Sequence, residues 1–431
     1  MSLSERASWN RNGPGGVERA DVGAADDSLA STRDAASDAR PSRLGVTVDG
    51  ARTALAHAWP ALLGYLATRI LGVAVLAWWA ASRGDSVWNR LFSYDSYWYA
   101  VVAQRGYDEA IPAWTPTLLG HSDLAFFPLY PMLIRSAHAV TRLDVQVVAI
   151  GIAWASALAA AWGIFAVADH LYGRRVGIFS AVAWGVIPNS IIMQMAYSES
   201  TFTALAAWSL YAAVRRRWGW AAALSVFAGL SRPTGVAVAA AVCVAAAMEI
   251  ARGLRTRTGT GDGSAVSWRP WLALVVSPLG WLGYIGWVSV RLGRWDGYLE
   301  VQRRWASAVD WRMPVFAWMG GLVSSPVDLK YVVASVVVLS SIGLFVVCVL
   351  QRQPVALLAY SAGLLLIALT DNSHFWCEAR FLLPAFPLVF PVARALADVR
   401  QRSTVVVLVG TATAAAAVLG ANYLVLGPHY P

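Results

Sequence analysis

Lysine is all but missing from this chain: of its 34 lysine and arginine residues only Lys330 is a lysine. Cysteine is scarce as well, with three in 431 residues. Cys243 and Cys348 lie within apolar runs and Cys377 in a loop, which excludes a disulfide framework and shows no metal-ligand spacing. Charge of either sign is low, at 14%. Beyond residues 1–52 the longest polar stretch is 252–269, a Gly/Ser/Thr linker too short to fold alone, so no soluble catalytic domain is left over. The first apolar segment begins only near residue 56, too late for a cleavable signal peptide, and is read as a signal anchor. No internal repeat stands out.

What is there is apolar. Hydrophobic residues make up 58% of the chain and the mean hydropathy is +0.52, as expected of a polytopic membrane protein. Residues 1–52 are rich in Ser, Gly, Asp, Arg and Ala with little aliphatic clustering and are expected to form a disordered cytoplasmic tail ahead of a transmembrane domain over 53–431. The Ala/Arg bias behind the net charge of +9 suggests a GC-rich bacterial genome and not nucleic-acid binding. Arginines cluster at 172–175, 215–217, 252–269, 351–353 and 398–402, which the positive-inside rule places in the cytoplasm. Spans are expected near 56–82, 145–169, 176–196, 199–214, 218–231, 234–251, 270–291, 329–350, 354–370, 381–397 and 403–426, about eleven helices. The segment 126–143 is read as an interfacial helix, with two prolines in its first turns and Arg135, His138 and Arg142 on one side.

This topology gathers the unusual residues on the opposite, external face, in loops 83–125, 195–200, 231–235, 292–313 and 371–380. In the stretch "LFSYDSYWYAVVAQRGYD", Asp95, Trp98, Tyr99 and Val102 are spaced to share one helical face. Taken alone, the rings fit interface anchors and Asp95 fits either a solvated helix cap or a functional carboxylate. Arg380 sits where an external loop re-enters the bilayer, and Arg232 marks a helix break in "SRPTG"; either reads as a snorkelling or structural group, or as a cation for a bound anion. Tyr197, Ser198 and Glu199 follow a helix end, and a solvated helix start accounts for Glu199 as readily as a site does. His121 and Asp123 are loop residues or supporting acids. Arg69, near the middle of the first span, either meets an anionic lipid group or snorkels. The segment 291–311 lines a groove or forms another amphipathic helix.

The stretches "SYDSYWYAVVAQRGY", "AFFPLYP", "AYSES", "SRPTG" and "EARFLLPAFPL", in that order, resemble the PIG-V-like family of mannosyltransferases, over most of residues 56–426. That family is similar to the wider GT-C class of polytopic glycosyltransferases that use polyprenyl-phosphate sugars. The resemblance implies an all-α, GT-C-like bundle with interfacial helices in its first external loop and an acidic catalytic residue there, the position Asp95 occupies. The family pattern usually reads Trp-Asp at this point; here it is Tyr94 then Asp95.

The activity implied is one-step inverting transfer of mannose from polyprenyl-phosphate mannose to a glycolipid or cell-envelope acceptor on the outer face of a bacterial cytoplasmic membrane. Asp95 would be the general base. Arg380, Arg232, Tyr99 and Tyr197 would bind the donor; Asp123, Glu199, His121 and Trp98 would supply a second acid or hold the acceptor. No cofactor is required, and dependence on a divalent metal is left open. The alternatives are another polyprenyl-phosphate-sugar glycosyltransferase, a glycan polymerase or ligase, or a transporter or lipid flippase. Transporters concentrate ionisable groups near the midplane, whereas here, Arg69 apart, they concentrate in the loops of one face.

Overall fold

The computed structural model describes residues 43–112, 120–260, 267–305, 307, 309–313, 316, 329–371 and 378–426. The chain divides into a unit Met1–Thr53 and a unit Ala54–Pro431, and the candidate site lies within the second. Its helices are α1 (Arg43–Ser82), α2 (Val87–Leu91), α3 (Asp95–Arg105), α4 (Leu129–Thr141), α5 (Val145–Tyr172), α6 (Arg174–Gly185), α7 (Glu199–Val214), α8 (Trp218–Gly229) and α9 (Gly235–Thr260). They continue with α10 (Arg269–Val276), α11 (Leu279–Arg291), α12 (Gly297–Arg304), α13 (Leu329–Leu350), α14 (Val355–Thr370), α15 (Glu378–Phe381), α16 (Phe390–Asp398) and α17 (Arg402–Val425). Helix α1 begins at Arg43, ahead of the expected boundary at residue 53, and residues 1–42 lie outside the described residues.

Six helices among the described residues are long and apolar enough to cross a membrane: Arg52–Ser82, Val145–Tyr172, Gly235–Arg255, Arg269–Arg291, Leu329–Leu350 and Arg402–Val425. Two shorter apolar helices, Trp218–Gly229 and Val355–Thr370, accompany them. The protein is an all-α polytopic membrane protein, with fewer full-length spans than the eleven expected.

The shortfall has a local cause. The apolar run 176–196 is not one helix: α6 stops at Gly185, Asn189 takes a left-handed φ of 64°, and a 3-10 turn covers Ser190–Gln194. A break inside a membrane frees backbone carbonyls that must find donors. Arg69 supplies them, since its guanidinium donates to the carbonyls of Gly185 and Ser190 and to Ser190 Oγ. Arg69 is thus a buried pin for the broken helix, neither snorkelling nor facing lipid. The run 381–397 is broken too, into a 3-10 turn at Phe386–Val389 followed by α16. The span Arg269–Arg291 counts among the six although a turn at Ser277 and Pro278 divides it into α10 and α11.

Small residues set how closely the helices approach. α5 packs on α6 and α7, and α8 on α7, α9, α10 and α11. A Cβ on Gly280 would collide with the Val226 carbonyl, and one on Gly235 would lie 2.6 Å from the Ala228 carbonyl oxygen, so the "SRPTG" turn needs its glycine for close packing.

Hydrogen bonds sort the loops into two ends. At one end Trp305 Nε1 donates to the Ser122 carbonyl, Ser307 Oγ to Asp371, and the Ala196 N–H to the Leu91 carbonyl. At the other end Arg174 donates to the His57 carbonyl, Arg175 to the Val399 carbonyl and Arg394 to Gln351. The arginine-rich loops thus meet one another, and so do the loops assigned to the opposite face. In a background lacking the native cysteines, an impermeant thiol reagent on intact cells is expected to label Ala110→Cys and spare Arg216→Cys. The reverse pattern would invert the assigned orientation.

Candidate functional site

The first polar loop carries α2, α3 and α4, with α3 packed on α4 and α4 on α5. Tyr130 OH donates to the Ala149 carbonyl and Arg135 Nε to the Ala103 carbonyl, which fixes α3 against the bundle. Tyr94, the residue before α3, has φ 55° and ψ −116°, a backbone region that L-residues seldom occupy. This sharp entry sets Asp95 in the first turn of α3, where the positive end of the helix dipole favours a carboxylate.

Four charged side chains from distant parts of the chain meet there. Arg380 Nη2 donates to Asp95 Oδ2 at 2.5 Å, and Arg380 Nε donates to Glu199 Oε1. Arg232 Nη1 lies 2.7 Å from Glu199 Oε2, completing the order Asp95, Arg380, Glu199, Arg232. Glu199, Arg232 and Arg380 are buried, while the Asp95 side chain keeps 17% exposure. Buried charges need opposite charges beside them, and the two carboxylates and two guanidiniums neutralise one another.

Rings frame the network. Arg380 stacks over Tyr197 at 4.4 Å, and the Tyr197 hydroxyl accepts the Asp95 backbone N–H at 3.4 Å. Ser198 Oγ lies 2.6 Å from Tyr99 OH and accepts from Arg232 Nη1 at 3.1 Å. The backbone that presents Arg380 is pinned from two helices: Trp184 Nε1 donates to the Leu383 carbonyl and Tyr360 OH to the Pro384 carbonyl.

The structure therefore brings together Asp95, Tyr99, Tyr197, Glu199, Arg232 and Arg380. Glu199 does not cap a solvated helix start; it is sealed between two arginines. Asp95 has a partner, Arg380, that nothing near it in the sequence announces.

Trp98, His121 and Asp123 belong to a neighbouring cluster. Trp98 stacks on Phe126 with centroids 5.9 Å apart and meets Trp305 edge-on; His121 stacks on Trp305 at 4.2 Å. Burial holds the His121 imidazole below its usual pKa. Asp123 is buried and accepts the Asp108 N–H with both oxygens, at 3.1 and 3.2 Å. Burial, with the Asp108 charge second, pushes its pKa up to about 6. Ser122, Trp305 and Tyr284, which build this cluster, carry no mark in the sequence because their bonds run through carbonyls of remote loops.

The sign of the Asp123 shift gives a stability prediction. An acid whose pKa is higher in the folded chain favours folding while it is protonated, and that contribution is lost as pH rises from about 4 to about 6. Asp123→Asn, which can still accept the Asp108 N–H, is expected to remove this slope. The effect is of order 3 kcal/mol at most, and melting temperatures of both proteins between pH 4 and 7 measure it. Parallel profiles would show that Asp123 does not titrate in that range.

Beside the charge network lies a cavity of about 830 Å³, whose walls include Arg232, Thr234, Trp281, Tyr298, Thr370 and Phe381. Segment 297–304 forms a helix, α12, whose Tyr298 and Val301 are buried while Arg303 and Arg304 pair with Glu300 on the outside. The same segment lines the cavity through Tyr298, so both readings of 291–311 hold in part. Among the described residues no three His, Cys, Asp or Glu side chains gather as a metal-binding group.

No protein-family model matches the chain, nor does any curated protein sequence. Solved structures do. ArnT from Cupriavidus metallidurans bound to undecaprenyl phosphate superposes with a TM-score of 0.51 at 17% identity, covering 82% of this chain and 63% of that one. The Archaeoglobus fulgidus oligosaccharyltransferase AglB, in complex with an inhibitory peptide and a dolichol-phosphate, gives 0.44 at 12% identity, covering 84% and 56%. The chain spans less than two thirds of either neighbour's length. Its fold is that of the GT-C polytopic membrane enzymes.

Proposed function

We propose that the chain is a membrane glycosyltransferase that moves a sugar from a polyprenyl-phosphate donor to an acceptor hydroxyl, with Asp95 as general base. The observation that carries this reading is the charge network. A carboxylate at the start of a loop helix, with part of its side chain still exposed, is held by a buried arginine, and another member of the same network, Arg232, lines a cavity large enough for a substrate. The likeness in fold to a protein that binds undecaprenyl phosphate supports a lipid-phosphate donor.

Such a donor is already activated, so transfer needs neither a covalent intermediate nor a nucleotide. The acceptor oxygen attacks the anomeric carbon as Asp95 takes its proton, and the bond from that carbon to the phosphate oxygen breaks. Polyprenyl phosphate leaves with the electron pair, and the configuration inverts. Arg380 holds Asp95 in place, and with Arg232 it sets two cations where negative charge builds on the phosphate.

Mannose is the sugar proposed, because "SYDSYWY", "SRPTG" and "EARFLLP", which carry the PIG-V resemblance, supply Asp95, Arg232 and Arg380 to this one network. The acceptor is a lipid-linked or cell-envelope glycan. The site faces outward across a bacterial cytoplasmic membrane, since the arginine clusters occupy the other end. Competition among polyprenyl-phosphate mannose, glucose and arabinose for the purified protein tests the sugar. Preferential transfer of mannose with inversion is expected; preference for another sugar would retain the class and reject mannose.

A further inference from the structure

The cavity's outer rim is built differently from its inner walls. Trp281, Ile285, Ile367 and Phe381 make those walls largely apolar, and the buried end reaches the charge network at Arg232. Two rings at the rim, Trp295 and Trp311, are 88% and 71% exposed. Each sits on braced backbone. The Trp295 carbonyl accepts from Ser289 Oγ at 3.2 Å; Trp311 follows an antiparallel bridge between Val309 and Asp371, next to which the Asp310 N–H donates to the Thr370 carbonyl at 2.6 Å. A single exposed tryptophan is an ordinary bilayer anchor. Two of them on one cavity, braced and flanked by hydrogen-bonding side chains, form a surface for a ligand with flat apolar faces.

The charges at the rim narrow the choice of ligand. Asp296 holds Arg294 with both oxygens, at 2.6 and 2.9 Å, and Arg303 pairs with Glu300 at 3.0 Å. Asp371 is buried and accepts from Ser307 Oγ at 2.9 Å, and Gln302 Nε2 donates to Tyr298 OH at 2.6 Å. The rim thus offers hydrogen-bonding groups beside charges that are largely matched, which suits an uncharged ligand rich in hydroxyls better than a charged one. A sugar ring has both features required. Its C–H face stacks on an aromatic ring, and its hydroxyl edge bonds to amides, hydroxyls and carboxylates. We propose that Trp295 and Trp311 are stacking platforms for a neutral oligosaccharide acceptor, whose terminal sugar enters the cavity toward Arg232 while the ring behind it lies against them. The inference rests on the glycosyl-transfer reading and deepens it: the acceptor is a glycan of at least two sugars, recognised beyond the ring that reacts. A cavity of about 830 Å³ has room for that.

Binding tests this without requiring transfer. Methyl glycosides carrying one or three mannose, glucose or galactose units are titrated against the purified full-length protein in lipid nanodiscs, followed by saturation-transfer NMR. Wild type is expected to bind at least one trisaccharide more tightly than its monosaccharide. Trp295→Ala and Trp311→Ala should each weaken that trisaccharide about tenfold and leave the monosaccharide unchanged, since an aromatic stacking contact is lost only at the outer ring. Trp311→Phe, which keeps a ring, should retain most of the affinity, so that a loss in W311A alone is not a folding defect. Trp268→Ala, at a tryptophan 66% exposed outside the cavity, should change neither affinity. Equal trisaccharide affinities in wild type, W295A and W311A, or no preference of wild type for any trisaccharide, would overturn the inference and leave the glycosyl-transfer reading intact. The expected binding pattern in a protein that transfers no sugar from polyprenyl-phosphate mannose would instead keep the sugar platforms and refute the reading on which their role as acceptor site rests.

Discussion

Asp95→Asn is expected to insert, fold and bind donor as the wild type does, yet to turn over at least about a hundredfold more slowly. Asn preserves the shape and can still accept from Arg380, so a purely structural Asp95 would show its loss in the melting temperature, through the weakened ion pair, and leave the turnover of the folded protein unchanged. What Asn cannot do is take a proton, and general-base catalysis commonly contributes about 10² to 10⁴ in rate. The measurement is initial rate under saturating donor and acceptor, with donor affinity taken separately. Wild-type turnover in the variant would exclude Asp95 as base and move the search to Asp123, a buried loop carboxylate that accepts the Asp108 N–H.

Arg380→Ala should have the second large effect, and on two observables at once. It removes the cation shared by Asp95 and Glu199, leaving Glu199 with Arg232 alone. Breaking a buried ion pair by deleting one partner costs about 3–5 kcal/mol, so the melting temperature should fall sharply and turnover should drop by more than about a hundredfold. Arg380→Lys separates charge from geometry. A lysine restores the charge but lacks the planar fork that reaches two carboxylates at once, so it should recover much of the stability and little of the rate. An arginine that merely snorkels to headgroups would show neither loss, and the lysine variant would then match wild type.

The membrane class, the two ends of the bundle and the helical first loop are legible in composition and arginine placement. The length of the apolar runs also locates α5, α13 and α17 to within a few residues, because a continuous apolar helix is a local property. The broken helices are not legible. Residues 176–196 read as one span because their hydropathy is unbroken, and the break depends on Arg69, 116 residues from the Gly185 carbonyl it caps. Site membership is visible residue by residue, since Asp95, Glu199, Arg232 and Arg380 each stand out in an apolar chain. Their pairing is not: Asp95 and Arg380 lie 285 residues apart, and no local pattern carries that distance.

The most direct measurement is sugar transfer by the purified full-length protein, supplied with radiolabelled polyprenyl-phosphate mannose and a lipid extract from its own membrane. The predicted result is label in a new glycoside of inverted configuration, formed by wild type and at least about a hundredfold more slowly by Asp95→Asn. Label that stays on the polyprenyl phosphate with folded wild-type protein, or that is transferred equally well by both proteins, would contradict the assignment.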